Sequence, residues 1–393
     1  MQIEEPVPAA ARGLALWDLG FRPFYLVASL FAALSVVLWA CEYAGWLPGS
    51  YMQTPFRHAH EMLFGYTLAV LAGFLFTAVR NWTSRPTPTG GALAALVALW
   101  IAGRVMMVTP FALASALVNA AFPLAVAVAI GIPLARSGNR RNYFFVALLL
   151  ALAVAELLVH AAALDWGKLP ESFGLQLGLD LVLFVVVVMA GRIVPMFTNN
   201  GVAGAGATRK PIVETFAHGT ILALVAFDVA GVEGGLLIAL LALAALTHLV
   251  RWALWRPWRT LRAPLVWILH AAYAWVPVYL VLRIFAIEGS VAPPWALHAL
   301  TIGVIGGMTI GMMTRTARGH TGRPLRADGF EVAMYALVML AAIARVFGPL
   351  VVPGDAYVTT IVVAATLWAS AFGLYAIRYW PVLTRPRVDG RPG

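Results

Sequence analysis

Charge is scarce in this sequence, and its scarcity excludes most soluble classes of protein. Only 11% of the 393 residues are charged, against about 25% in ordinary soluble domains, whereas 62% are hydrophobic. A soluble domain cannot hide that much apolar surface, because its outer residues must face water. Since a bilayer span needs about 20 mostly apolar residues, the composition predicts an all-α polytopic membrane protein. We expect about twelve transmembrane helices that form a single domain over residues 1–393.

Cysteine and acidic residues are also few. The one cysteine, Cys41, leaves no partner for an internal disulfide. Basic residues outnumber acidic ones by 27 to 17, for a net charge of +10. In a soluble chain this excess would indicate nucleic acid, but in a membrane protein the positive-inside rule explains it, so we expect no nucleic-acid partner. The first five residues, MQIEE, lack the basic segment of a cleaved signal peptide.

Apolar runs bounded by polar, glycine or proline clusters mark the predicted spans. They lie at 23–45, 57–79, 91–109, 112–135, 143–164, 173–196, 212–231, 234–252, 263–287, 295–316, 330–350 and 357–381.

The charges alternate between successive connections. Both tails and the connections near 80–85, 136–141, 192–210, 251–262 and 315–326 hold most of the arginines. The alternate connections are net acidic and contain Asp165, Glu171, Asp228, Glu233, Glu288 and Asp355. This alternation supports twelve spans and predicts that both termini are cytoplasmic.

Two segments resemble each other at a separation of 238 residues. A pattern His-x4-Gly-x7-Gly-x6-Arg begins at His60 and again at His298, and Thr-x-Arg-Pro follows at 83–86 and 321–324. The similarity predicts an internal echo of 58–86 with 296–324, in which two parallel helices each carry a histidine at one depth. Chance likeness between two glycine-bearing helices is the alternative.

Histidine is the residue type that points to chemistry. All eight histidines lie in or beside predicted spans, where ionisable groups are costly. Neutral imidazole binds haem iron and copper alike, and the candidate metal ligands are His58, His60, His270, His298 and His320. Interfacial placement explains His160, His218 and His248. Because CxxCH is absent, any haem would be non-covalent.

The placement of His58 and His60 limits what they can share. Positions two apart on a helix point about 200° apart, so both serve one site only if the start of the span is unwound. Glu61 is expected to orient the ring of His58.

Charged residues inside the spans are further candidates. Arg104 and Arg192 can bind haem propionates or extend to lipid headgroups. Glu156 lies four residues before His160 on one helical face. Arg104, Glu156 and Asp180 also fit ion pairs or a proton path.

Several motifs together resemble the NnrS family. They are LGFRPF at 19–24, HAHEMLFG at 58–65, AGFL at 72–75, NWTSRP at 81–86, GRIVPMFT at 191–198, WILH at 267–270 with Tyr273, HALT at 298–301 and GHTGRP at 319–324. Ser84 departs from the expected glycine and affects no ligand. The resemblance implies a twelve-span bacterial inner-membrane protein with haem and copper, which acts in the response to nitric oxide and nitrosative stress, often alongside denitrification.

The first hypothesis is therefore a membrane haem and copper protein that binds or processes nitric oxide or its iron-nitrosyl products. By the internal echo, His60 and His298 are the expected haem ligands, and His270 and His320 are an alternative or copper set. A secondary transporter is the second hypothesis, because twelve spans and intramembrane charges fit one. A respiratory oxidase-like subunit is the third, although the adjacent His-His pair expected for its copper is absent.

Overall fold

A computed structural model describes residues 14–43, 45–47, 51–52, 54–167, 169–170, 172–351 and 357–391. Glu171 and Asp355, which entered the charge argument, lie outside this part. Across these ranges the chain forms long helices with three short 3-10 turns, and no strand.

Twelve long helices occupy the described ranges. They are α1 (Phe21–Tyr43), α2 (Pro55–Thr83), α3 (Gly90–Met106), α4 (Ala112–Ser137), α5 (Phe144–Ala163), α6 (Phe173–Gly201), α7 (Pro211–Ala230), α8 (Gly235–Leu254), α9 (Pro264–Ile287), α10 (Pro293–His320), α11 (Gly329–Val351) and α12 (Tyr357–Thr384). Eleven are long and apolar enough to cross a membrane, and α3, with 17 residues, is the shorter one. The predicted all-α polytopic fold with about twelve helices is thus confirmed.

Both ends of the helical bundle's chain meet at one end of the molecule. The Arg22 guanidinium at the start of α1 donates to the carbonyl oxygens of Leu383, in the last turn of α12, and of Arg385, directly after this helix. Twelve successive helices, with the shorter α3 included, bring the two ends of the bundle together. We call this end of the molecule the arginine-rich end, because the basic connections lie there. The far end of the helical bundle is called the opposite end.

Helix packing follows chain order for most of the molecule. From α3 to α10, each helix packs against the next helix in the chain. Helix α11 packs against α12, and α12 also packs against α1. Inside this arrangement α2 is the most buried helix, followed by α6 and α10. Residues on α2 therefore contact other helices on nearly every face.

The helices α2 and α10 share an unusual backbone feature. Each contains a π-helical segment, Glu61–Thr67 in α2 and Ala299–Gly306 in α10. These segments begin directly after His60 and directly after His298, so they start at positions 238 residues apart. Wide π turns are rare and occur often at functional sites.

Candidate metal centre at the opposite end

Three buried side chains from two helices converge near the opposite end. His60 on α2 and Glu156 and His160 on α5 each offer one ligand atom, and these atoms all lie within 4.8 Å of one another. The His60 Nε2 and Glu156 Oε1 atoms are 3.5 Å apart. All three residues are at most 1% exposed. We call His60, Glu156 and His160 the triad.

The ligand atoms of the triad are free of other partners. His60 Nε2, His160 Nε2 and Glu156 Oε2 are buried and make no hydrogen bond with any described residue. Buried polar atoms are normally satisfied, because an unsatisfied one costs about 1–3 kcal/mol. Three such atoms at one point therefore indicate a ligand, and two imidazoles with a carboxylate are a donor set for one transition-metal ion.

The ring of His60 is held from behind by an ionic network. Its Nδ1 lies 3.0 Å from Glu61 Oε1, and Arg104 at the end of α3 donates to the same oxygen at 2.6 Å. Arg104 also donates to the side-chain oxygen of Asn119 on α4. A proton on Nδ1 leaves the lone pair of Nε2 directed into the triad, which is how carboxylates orient metal-binding histidines.

A second chain of hydrogen bonds orients His160. Its Nδ1 lies 2.9 Å from the Tyr51 hydroxyl, which donates to Ser115 Oγ at 3.1 Å. Ser115 in turn donates to Met107 Sδ at 3.2 Å. Each donor in this series has an acceptor if His160 carries its proton on Nδ1, and Nε2 then presents its lone pair to the triad.

Glycine at position 65 makes room for this network. A Cβ atom there would lie 2.5 Å from Arg104 Nη1 and 2.7 Å from the Phe31 ring. The Gly65 carbonyl accepts a hydrogen bond from the Trp100 indole at 2.9 Å. The missing side chain thus lets α3 approach α2 closely enough for Arg104 to reach Glu61.

His58 and His60 serve different neighbourhoods. His60 has helical dihedral angles, so the start of the span is not unwound, and the two rings point away from each other. Glu61 contacts His60 and not His58, contrary to our expectation. The His58 ring instead stacks on Trp39 of α1, with ring centroids 4.4 Å apart.

His298 and His58 both lie at the opposite end, where their rings are half-buried and within electrostatic range of Arg345 of α11. The Nδ1 of His298 lies 2.6 Å from the Pro294 carbonyl oxygen, to which it can donate. Arg345 Nη2 donates to the Tyr357 hydroxyl at 3.1 Å, whereas its buried Nη1 has no partner among the described residues. His60 and His298, which we expected to bind haem together, therefore lie in two different places, His60 in the triad and His298 near Arg345.

The remaining predicted residues lie toward the arginine-rich end. His270 Nε2 is 2.8 Å from Thr198 Oγ1, and the His320 ring is 5.8 Å from the Phe21 ring. Arg192 donates to Asn142 at 2.9 Å. None of these three contacts involves the triad. Arg104, the other predicted propionate ligand, acts on the triad through Glu61, which contacts His60.

Sequence reasoning placed His160 among the interfacial histidines and so missed it as a member of the triad. The sequence signal that could have identified His160 was its spacing of four residues from Glu156, because residues four apart share a helical face. That signal identified a pair of side chains but not the helix that the pair contacts.

An apolar cavity of about 100 Å³ lies between α1, α2, α6 and α10. Four lining residues of α2 match four of α10 at a separation of 238, namely Thr67 with Ile305, Val70 with Met308, Leu71 with Thr309, and Phe74 with Met312. The hydroxyl groups of Thr67 and Thr309 bond to backbone carbonyls of their own helices, so the lining is almost wholly apolar.

Comparisons with known proteins agree with the sequence motifs. A family model described as NnrS protein matches residues 15–387, nearly the whole chain. No curated protein matches the chain. With a multi-pass helical fold, a buried donor set for metal and this match over nearly its full length, the chain belongs to the NnrS family.

Proposed function

We propose that this protein binds or processes nitric oxide or iron-nitrosyl products in the bacterial inner membrane, and that it uses a copper ion at the triad. Family membership supports a membrane protein of the nitric oxide response. The observation that carries the proposal for this chain is the convergence of three buried ligand atoms without partners.

The charge of the site favours a cation. Glu61 pairs with Arg104, and both Glu61 and Glu156 contact His60, which is charged only if it is protonated. With both carboxylates ionised and the imidazoles neutral, as metal binding requires, the site carries one excess negative charge in a buried place, where uncompensated charge is costly. A bound metal ion compensates that charge and satisfies the orphaned nitrogen and oxygen atoms together.

The donor set fits copper. Imidazole nitrogen suits copper, and sites of nitrogen and oxygen ligands bind Cu²⁺ more tightly than the other divalent first-row metals. Three ligand atoms within 4.8 Å of one another leave no room for a porphyrin ring, so the triad does not fit haem. When bound, copper would supply a redox-active centre for a diatomic ligand at this position.

The protein's own residues orient and shield this position. Glu61 and Tyr51 hold the two imidazole rings through their Nδ1 atoms, and Arg104 holds Glu61. Burial of the triad excludes bulk water, which strengthens each of these polar contacts.

Haem is proposed at a second place, between His58 and His298. The Pro294 carbonyl fixes the Nδ1 of His298 and leaves its Nε2 for iron. Arg345, whose charge acts on both histidines, has a guanidinium nitrogen without a partner among the described residues, which suits a propionate. In this proposal His298 is a haem ligand, as the sequence predicted, and His58 takes the place of His60 as the other haem ligand.

The apolar cavity supports access from the bilayer. Nitric oxide is small and apolar and partitions into lipid. The cavity begins at Thr67, seven residues along α2 from His60. Because matching residues of α2 and α10 line it and a π segment precedes each set, we propose that these helices are the two copies of an internal repeat.

Metal analysis and a visible spectrum of the purified protein test this proposal. We expect one copper per chain and a haem Soret band. His160→Ala should lose copper and keep haem, and His298→Ala should do the reverse. His218→Ala, a histidine of α7 outside both sites, should keep both. Wild-type protein without copper and without a Soret band, after expression with adequate supplies of both, contradicts the proposal.

A transporter is the second candidate, because a buried polar network supports it. Asp180 accepts a hydrogen bond from Gln176 at 2.9 Å and interacts with Asp228, which pairs with Arg283. Arg104 and Glu156, by contrast, belong to the metal centre. Substrate uptake into liposomes by metal-free protein would favour transport.

A further inference from the structure

A charged pocket of about 380 Å³ opens at the arginine-rich end, apart from both proposed metal sites. It lies between the end of α10, the connection to α11, and the last turns of α12. Its charged lining consists of Arg318, Arg323, Arg378, Arg385, Asp328 and Glu331. Four guanidinium groups therefore face two carboxylates, which leaves a surplus of two positive charges.

Both carboxylates of this pocket are already engaged. Glu331 accepts from Arg318 Nε at 2.8 Å and from the Tyr379 hydroxyl at 2.6 Å. Asp328 pairs with Arg378 at 3.0 Å and with Arg318 at 3.4 Å. Arg323 and Arg385 consequently have no carboxylate partner among the described residues.

Arg323 has an unsatisfied hydrogen-bond donor and lies among other positive charges. Its Nη1 atom is buried and has no hydrogen-bond partner in the described part of the chain. Burial, followed by the charges of Arg318, Arg378 and Arg385, lowers the pKa of the Arg323 guanidinium. Arginine nevertheless stays protonated in proteins, so the repulsion persists unless an anion compensates it.

We propose that this pocket binds a phosphate group, which Arg323 and Arg385 hold from the arginine-rich end. Guanidinium groups match phosphate oxygens in paired hydrogen bonds, and a surplus of two charges suits that anion. Basic pockets between transmembrane helices on the cytoplasmic side are places where phospholipid headgroups bind. The phosphate comes either from an anionic lipid headgroup or from free phosphate in solution.

The chain contains a matched comparison for Arg323. Arg323 belongs to Thr321-Gly322-Arg323-Pro324, and Arg85 holds the same place in Thr83-Ser84-Arg85-Pro86. Arg85 lies at the same end of the molecule but is exposed and does not line the pocket. Replacing Arg85 therefore removes an equal charge from the same face without changing the pocket.

Thermal unfolding of the full-length protein tests the proposal. One arm titrates delipidated protein in neutral detergent with inorganic phosphate, with chloride at equal ionic strength as the control. The other compares nanodiscs of phosphatidylcholine with nanodiscs that also contain phosphatidylglycerol. We expect ligand-dependent stabilisation of the wild-type protein in at least one arm. Stabilisation in both arms identifies a site for free phosphate, and stabilisation by phosphatidylglycerol alone identifies a headgroup site.

Variants decide whether the pocket is responsible. Arg323→Gln and Arg385→Gln should weaken binding about tenfold or more, because each removes charge-assisted hydrogen bonds, whereas Arg85→Gln should bind as the wild type does. Arg385 is exposed, so its variant carries the test if Arg323→Gln does not fold. The proposal is overturned if neither ligand stabilises the wild type, or if Arg85→Gln loses as much binding as the pocket variants.

Discussion

The helices α2 and α10 have the same pattern of histidine and glycine and the same π segment, yet they build different surroundings. His60 is followed by Glu61, whereas His298 is followed by Ala299. Gly65 admits the guanidinium of Arg104, whereas a Cβ at Gly303 would lie 2.4 Å from the Trp275 ring. The same backbone therefore supports a polar network on α2 and apolar packing on α10.

This difference shows what the proposed metal-ion site has beyond a histidine at the same depth. His60 meets a carboxylate and a second histidine on α5, and a charged network holds its ring. His298 meets a backbone carbonyl and the neighbourhood of His58. We infer that α2 carries the copper site and that α10 contributes a haem ligand.

The largest expected effect separates the two histidines. His60→Ala should lower copper affinity by more than about 100-fold, since loss of a ligand exceeds the 10–100-fold cost of losing an outer contact. His298→Ala should leave copper affinity unchanged. Competition with a chelator of known affinity measures both. Equal losses in the two variants would remove the distinction between the helices.

Loss of an outer contact should have a smaller effect. Tyr51→Phe removes the acceptor for the Nδ1 proton of His160, and we expect copper affinity to fall by about 10–100-fold. Tyr143→Phe, at an exposed tyrosine, is the control and should not change it. An unchanged affinity in Tyr51→Phe would show that the Tyr51 hydroxyl does not orient His160.

The glycines provide the smallest and most specific comparison. Gly303→Ala forces a Cβ against the Trp275 ring and should destabilise the protein by about 1–3 kcal/mol, as overpacking does. Gly65→Ala displaces the flexible Arg104, so it should cost less stability but weaken copper binding several-fold. Gly219→Ala, where a Cβ meets nothing within 4 Å, should change neither. Thermal unfolding and copper titration of the three variants check this, and a reversed pattern for Gly65 and Gly303 would contradict it.

Sequence alone predicted the helices well because hydropathy and charge alternation report directly on the bilayer. All twelve predicted spans correspond to helices, and His60 has the helical dihedral angles under which we expected His58 and His60 to point to different places. Which histidines meet depends on how α5 packs against α2. No local pattern encodes that packing, so His160 remained among the interfacial histidines until the fold placed it beside His60.

X-ray absorption at the copper edge of the purified protein tests the central claim most directly. The account predicts a copper ion with two imidazole ligands and a carboxylate oxygen in the wild type, and one imidazole fewer in His160→Ala. A wild-type spectrum with thiolate or thioether sulfur ligands, or an imidazole count that His160→Ala leaves unchanged, would contradict it.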